Sequence, residues 1–231
     1  MLTSNEANIK TKISEFAWVV KNWARPLGFS RLGLPCQLMG SGMAFPWSLI
    51  RDAKLANSHI VEDLKLGLDL AGMMRPPRFC PEAIVTSKFP NNNDGLMSQR
   101  TRWEHGHLSM IVSEGPKLIW QSIRFLNVSL LALVVDMLVP PLALLALMVF
   151  VTFLMALIGL TITHQFAPWY LALVNLGCLG VAVFLSWLKF GRTILSSSDL
   201  IYIPIYALSK VPLYFKFIMR RQVSWVRSRR D

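Results

Sequence analysis

The sequence predicts an α+β globular part followed by transmembrane and interfacial α-helices, and therefore a multi-pass membrane protein. Three observations carry this reading. The 231 residues are 53% hydrophobic with a mean hydropathy of +0.44, more apolar than soluble domains usually are. Two runs, from Pro141 to Ile162 and from Trp169 to Leu188, contain no charged residue. The chain ahead of them is polar and loop-rich, and it holds most of the side chains capable of chemistry.

Composition narrows the class further. A formal net charge of +11 raises nucleic acid as a partner. Many of the bases flank apolar segments, however, where anionic lipid head groups are the simpler counter-charge, so no nucleic acid is expected. Cys36, Cys80 and Cys178 are widely spaced and form no paired motif. They read as reduced thiols, neither a disulfide framework nor a zinc site. Met1 to Lys12 is polar and lacks an apolar h-region, so no signal peptide is expected and the later helices would do any membrane targeting.

From Lys10 to Arg31, bases alternate with Phe16, Trp18, Val19, Val20 and Trp23, the pattern of an amphipathic helix ending before Pro26. Such a helix serves equally as a core element or as a segment near the membrane surface. Pro35 to Phe45 carries Gly40-Ser41-Gly42, where backbone can turn tightly and approach a ligand. Val61, Leu64, Leu68 and Ala71 recur at helical spacing, with Lys65 and Asp69 opposite and Gly72 placed as a stop. Glu62 and Asp63 then fall in a first helical turn, where carboxylates stabilise the helix dipole whether or not they do chemistry. After the proline-punctuated stretch Arg75 to Pro81, Ala83 to Phe89 reads as a strand.

Ser98, following the loop Asn91 to Gly95, is placed to cap a helix on which Gln99, Arg102 and Trp103 fall at i, i+3 and i+4. One face would present an amide, a fork of N–H donors and a flat π surface, which suit hydroxyls, phosphate oxygens and a sugar ring respectively. An ordinary amphipathic helix with a core tryptophan and a solvated arginine has the same spacing, so spacing alone leaves both readings open. His105 and His107 diverge on a helix and make a poor metal pair, fitting polar groups in a site or interface.

Lys117 to Val139 reads as an interfacial helix running into a kink at Pro140-Pro141, with a third, tilted span as the alternative. Asp136 within it should face water, protein or a cation. The two charge-free runs are each long enough to cross about 30 Å of hydrocarbon and form a hairpin. The connection from Thr163 to Pro168 has no Lys or Arg, whereas Lys189, Arg192, Lys210, Lys216 and the arginines from Arg220 to Arg230 follow the second run. The positive-inside rule then puts the Gln99 to Trp103 helix and the C-terminus in the cytosol, with the chain in the cell (inner) membrane. Ile203 to Arg221 interleaves aromatics with bases, as a helix lying on an anionic leaflet would.

Gln99-x-x-Arg102-Trp103 resembles the Q-x-x-R-W signature of membrane-integrated family 2 glycosyltransferases, the group that includes cellulose and hyaluronan synthases. Val61-Glu62-Asp63 stands where that family has T-E-D, with Val replacing Thr, and Pro35 to Phe45 looks like its glycine-containing turn near the acceptor. Met39 stands where some processive relatives have a cysteine, which weighs against processive polymer synthesis. The resemblance runs from about Ile13 to the C-terminal basic segment.

The resemblance implies an inverting glycosyltransferase that moves a sugar from a nucleotide-sugar donor to a glycan or lipid-linked acceptor in cell-surface polysaccharide synthesis. It implies Asp63 as the catalytic base, and Glu62, Gln99, Arg102, Trp103, Gln37 and Ser41 as substrate-binding residues. Residues 1–116 would be the C-terminal half of a GT-A-like cytosolic domain, 117–140 the interfacial helix, 141–190 the two-span hairpin and 191–231 a basic amphipathic tail. The complete family enzyme uses a divalent cation, Mg or Mn, held by an Asp-x-Asp. No two aspartates here are separated by one residue, so no metal site is expected in this chain. The chain alone is then expected to be nearly inactive, being a truncated product, half of a split enzyme whose partner chain supplies the nucleotide-binding half, or a non-catalytic membrane scaffold.

Overall fold

The computed structural model describes residues 2–3, 8–51, 60–88 and 93–219. Phe89, Asn91, Asn92 and the basic tail from Arg220 onward lie outside the described residues. What is described is mostly helical. The strand content among these residues is one parallel pair, β1 (Leu2–Thr3) with β2 (Ser87–Lys88), Leu2 facing Ser87. Of the strand expected over Ala83–Phe89, Ser87 and Lys88 find a partner, and the α+β expectation reduces to this pair.

The first helical stretch runs through Pro26 instead of ending before it. It consists of α1 (Ile9–Val19), a π-helical segment Val20–Ala24, and α2 (Arg25–Arg31). Proline supplies no N–H and clashes with an α-helical ladder. The π turns widen that ladder just ahead of it, with Arg25 N–H donating to the Val20 carbonyl five residues back. Gly33, at φ +71°, closes α2 with Leu34 N–H on Phe29 O at 2.9 Å and its own N–H on Ser30 O at 3.0 Å.

After the short helix α3 (Trp47–Ile50), α4 (Glu62–Gly72) forms as its periodicity requires. Leu64, Leu68 and Ala71 are buried, and Lys65 pairs with Asp69 on the other side. The left-handed residue that ends α4 is not Gly72 but Met74, at φ +59°, with Arg75 N–H closing on Leu70 O at 2.9 Å.

α5 (Asn93–Ser113) starts five residues before Ser98, so Ser98 lies inside the helix and does not cap it. Asn and Asp begin a helix as readily as Ser does, which lets it start at Asn93. Where one helix is expected over Lys117–Val139 there are two, α6 (Gly115–Arg124) and α7 (Val128–Leu138), with Leu126 left-handed at φ +49° between them.

α8 (Leu142–Thr163) and α9 (Phe166–Ser186) form the hairpin, joined by His164 and Gln165 rather than by six residues. His164 adopts φ +56° and its N–H returns to Leu160 O at 3.0 Å. A π-helical segment, Trp187–Gly191, prolongs α9. A 3-10 turn, Ser198–Tyr202, leads to α10 (Ile203–Ser209) and α11 (Val211–Met219), two helices where one is expected. Two helices, Leu142–Thr163 and Phe166–Gly191, are long and apolar enough to cross a membrane, and only 6% and 11% of their most apolar stretches are buried.

Three apolar clusters hold these elements together. Leu64, Leu68 and Ala71 of α4 pack with Met110 of α5, Leu118 of α6, and Leu130, Leu133, Val134 and Met137 of α7. Ile13 and Phe16 of α1 pack on Trp187 and Leu195, and Gly191 is bare beneath them because a Cβ there would lie 2.7 Å from the Phe16 ring. Leu108 of α5 packs with Leu213, Tyr214 and Phe217 of α11. Asn127 ties the first cluster to the backbone: its Oδ1 accepts from Leu130 N at 2.9 Å and its Nδ2 donates to Ala71 O at 2.8 Å, both buried. Asn127→Ala removes a helix cap and the buried link from α7 to the Ala71 carbonyl, which keeps the Met74 N–H at 3.1 Å, so it should destabilise the fold by about 1 kcal/mol, measured by thermal unfolding of the detergent-solubilised chain.

Candidate functional site

Of the residues singled out in the sequence, Asp63, Gln37 and Ser41 lie around the turn Gly40 to Gly42, Asp63 against its backbone and the other two along a neighbouring cavity, which Asp63 itself does not line. Gly40 (φ +74°) and Gly42 (φ +66°) are left-handed, a conformation that favours glycine. They are also tight. A Cβ on Gly40 would sit 3.0 Å from Asp63 Oδ2, and one on Gly42 would sit 2.8 Å from the Val85 side chain. The turn is thus pressed against the first turn of α4, and the Asp63 carboxyl faces its backbone. Asp63 Oδ1 accepts from Leu64 N at 2.8 Å.

The charge on Asp63 is set by competing neighbours. Burial is the largest influence and pushes its pKa above the ordinary carboxylate value; Glu62 adds to that, while the Leu64 N–H and the Lys21 ammonium oppose it. Glu62 itself is exposed. A half-buried carboxylate whose pKa is raised is a stronger base than an exposed one when it is ionised.

A cavity of about 490 Å³ opens beside the turn, and Gln37 and Ser41 both line it. Trp18, Trp23 and Phe79 supply aromatic walls, with Trp23 and Phe79 edge to face at 5.5 Å. Asn22 also lines it, and its buried Nδ2 has no hydrogen-bond partner among the described residues. Gln37 is less available than its position suggests. Its Nε2 donates to Asp136 Oδ2 at 2.6 Å, and Arg25 closes on the same carboxylate while also reaching the Asp136 carbonyl at 2.9 Å. Asp136 therefore faces protein and pairs there.

The signature residues divide. Trp103 stacks on Trp18, ring centroids 4.8 Å apart, and lines a second cavity of about 340 Å³. Trp18 lines both cavities, so the tryptophan pair stands where they adjoin. Gln99 is buried, with no partner for its Oε1 among the described residues, and neither Gln99 nor Arg102 lines either cavity. α5 reaches the Asp63 helix through Gly106, where a Cβ would sit 2.8 Å from the Val61 side chain.

Other residues around the site were not singled out from the sequence. Lys21 and Arg25 follow Trp18 at i+3 and i+7 on one helical stretch, a spacing that could have placed the three together. Burial and the neighbouring Arg25 lower the Lys21 pKa, against the pull of Asp63, Asp136 and Glu104. Glu104 pairs with Lys210 across more than a hundred residues, which no local pattern could show. His105 Nε2–H donates to Leu213 O at 3.1 Å and His107 Nε2–H to Met137 O at 2.8 Å, both buried, so they are interface groups. Cys36 is held protonated, its pKa raised to about 11 by burial and by Asp136, and the three cysteines are free.

The residues at this site do not fit a divalent cation. Among the described residues no three His, Cys, Asp or Glu side chains gather, and the charged neighbours of Asp63 are one exposed carboxylate and an ammonium that would repel a metal.

The chain matches the family model described as Glycosyl transferase family group 2 over residues 10–219. That match spans most of the chain, the turn, the Asp63 helix, α5 and the hairpin included, and the chain belongs to this family. Family 2 glycosyltransferases transfer sugars from activated donors and generally use divalent cations. No curated protein and no solved structure matches the chain significantly.

Two stability predictions follow from the buried groups. Because the Asp63 pKa is raised, ionising it costs stability above that pKa, and the cost vanishes as pH falls below the unfolded value. Asp63→Asn should therefore unfold at a higher temperature than wild type near pH 7, the gap closing as the pH is lowered. His107 has its pKa lowered to about 3, chiefly by burial and then by Lys21. The stability this neutral imidazole contributes is full above about pH 6.5 and is lost as pH falls toward 3. The unfolding midpoint of wild type should drop across that window, and His107→Gln, which retains an N–H donor, should flatten the drop.

Proposed function

We propose that this chain is the acceptor-side and membrane part of an inverting glycosyltransferase, with Asp63 as the base. The acceptor hydroxyl oxygen attacks the anomeric carbon of a nucleotide-sugar. The bond from that carbon to the diphosphate breaks, its electron pair leaves with the nucleoside diphosphate, and the hydroxyl proton passes to the Asp63 carboxylate. The observation that carries this reading is the Asp63 carboxyl lying against the left-handed Gly40 turn, with a raised pKa, beside a cavity lined by Gln37 and Ser41. Arg102 would offset charge on the departing diphosphate, Trp103 would stack on the sugar, and Gln99 would offer its unpartnered carbonyl oxygen to a hydroxyl. Glu62 would border the donor. In this reading the nucleotide and its metal are held by residues outside those described, on a partner chain or a further segment.

The acceptor would be a glycan or a lipid-linked glycan of the cell surface, met at the cytosolic face of the cell membrane. Both ends of the hairpin support one side for the catalytic body and the C-terminus. The start of α8 borders the second cavity together with α5, and Trp187, beyond the end of α9, packs on α1. Trp120, Ile123, Phe125 and Leu126, exposed on and just after α6, support an interfacial placement for that helix, and Phe215 and Ile218 do so for α11.

The decisive experiment is transfer of labelled sugar by the chain reconstituted with whatever supplies the nucleotide half. Asp63→Asn should lower transfer by about 10²- to 10⁴-fold while donor binding persists. Transfer unchanged by both Asp63→Asn and Arg102→Ala would overturn the assignment and leave a non-catalytic membrane scaffold.

A further inference from the structure

The second cavity has two chemically distinct sides. Leu142, Leu145, Leu179 and Val183 of α8 and α9 make an apolar wall, and Lys21, Arg25, Arg100 and Lys210 make a cationic one. Glu104 is the carboxylate among its lining residues, and it pairs with Lys210. Arg25 is matched by Asp136, and Arg100 donates to Ser14 Oγ. Lys21 differs from these: among the described residues its ammonium has no ion pair and no hydrogen bond, and it feels its carboxylate neighbours only through space. A desolvated ammonium without a contact partner is unfavourable until an anion reaches it.

The cavity also has direction. Both Ser186 and Leu179 line it, seven residues apart on α9, so it extends about 10 Å from the polar body along an apolar helix. Trp18 and Trp103 stand at its polar end. A cationic pocket that continues into an apolar groove matches an anion carried on a hydrocarbon chain. A free phosphate would leave the groove unused, and a neutral sugar would leave Lys21 unmatched.

We propose that this cavity binds the phosphate head of a membrane lipid, with the phosphate on Lys21 and the hydrocarbon chain along Leu145, Leu179 and Val183. The site lies on the opposite side of the Trp18–Trp103 pair from the Gly40 turn, and it rests on the membrane placement of α8 and α9 proposed above. It needs no transfer chemistry, so lipid binding and sugar transfer are read out separately, although the Lys21 and Asp63 charges act on each other through space.

The test is equilibrium binding of labelled hexadecyl phosphate to the full chain in dodecyl maltoside micelles, with hexadecanol and inorganic phosphate as competitors. Hexadecyl phosphate should saturate a single site and bind at least tenfold more tightly than hexadecanol, and inorganic phosphate should not displace it. Lys21→Gln should remove the preference for phosphate over alcohol, Lys21→Arg should keep most of it, and Ala182→Trp, which crowds the apolar wall, should weaken binding with the charges intact. Equal binding of the phosphate and the alcohol, displacement by inorganic phosphate at comparable concentration, or a folded Lys21→Gln chain that still prefers the phosphate would overturn the proposal. If Lys21→Gln does not fold, the competitor series and Ala182→Trp decide it. Release of the chain from membranes by alkaline carbonate would defeat the membrane placement itself, an outcome separate from both micelle binding and the effect of Asp63→Asn on transfer.

Discussion

The fold depends on burying a polar helix. α5 carries Arg100, Arg102, Glu104, His105 and His107 within two turns, yet it runs through the middle of the molecule and has no continuous apolar stripe. Buried polar groups are costly unless they are answered, and four of these side chains find a partner outside the helix, while Gln99 Oε1, Glu104 Oε2 and the Nδ1 atoms of His105 and His107 are buried without a hydrogen-bond partner among the described residues. Arg100 reaches Ser14 on α1, Glu104 takes Lys210 at the junction of α10 and α11, His105 takes the Leu213 carbonyl on α11, and His107 takes Met137 at the end of α7. Bare Gly106 lets the start of α4 approach to van der Waals contact. Elements separated by more than a hundred residues are thereby held to one strut, and Gln99, Arg102 and Trp103 lie on it.

The same arrangement positions the chemistry. Trp103 is held by its stack on Trp18, and Trp18 belongs to the helical stretch whose π segment carries Lys21. Asp63 owes its raised pKa to the packing of α4 beneath the Gly40 turn, and its lingering exposure to lying in the first turn of that helix. A buried carboxylate with a raised pKa is unfavourable for the fold, and in the reading proposed above the same shift favours proton transfer.

Asp136 links the globular body to the segment preceding the hairpin. A carboxylate near the apolar half is costly if unpaired, and its two contacts come from Arg25, which also reaches the Asp136 carbonyl, and from Gln37, which lies on the irregular segment lining the larger cavity. The clamp seats α7 against both and removes Gln37 Nε2 from free contact with a ligand. The segment that leads into the Gly40 turn is therefore positioned partly by a residue just ahead of the α8–α9 hairpin.

Much of the local structure was legible from the residues. Apolar runs free of charge specify long helices whatever their surroundings, because backbone groups in an apolar medium must pair within the segment, and α8 and α9 follow. The stripe Leu64, Leu68, Ala71 specified α4 and its buried face in the same way. The three motifs could be placed on elements, and their order along the chain pointed to the family that the match over residues 10–219 shows. Other features depended on contacts that no window of sequence contains. The passage through Pro26, the break at Leu126 and the left-handed Met74 carry no signal in the local pattern, because a single unfavourable backbone position costs little beside the contacts made by the helices it joins. The Glu104–Lys210 and Arg25–Asp136 pairs, the Trp18–Trp103 stack and the contact of Asp63 with Gly40 join residues far apart in the chain. Sequence determined the two long apolar helices and the buried face of α4; only the tertiary structure decided where the other helices break and which charges meet, because Coulomb and hydrogen-bond energies depend on distance in space and not on separation along the chain.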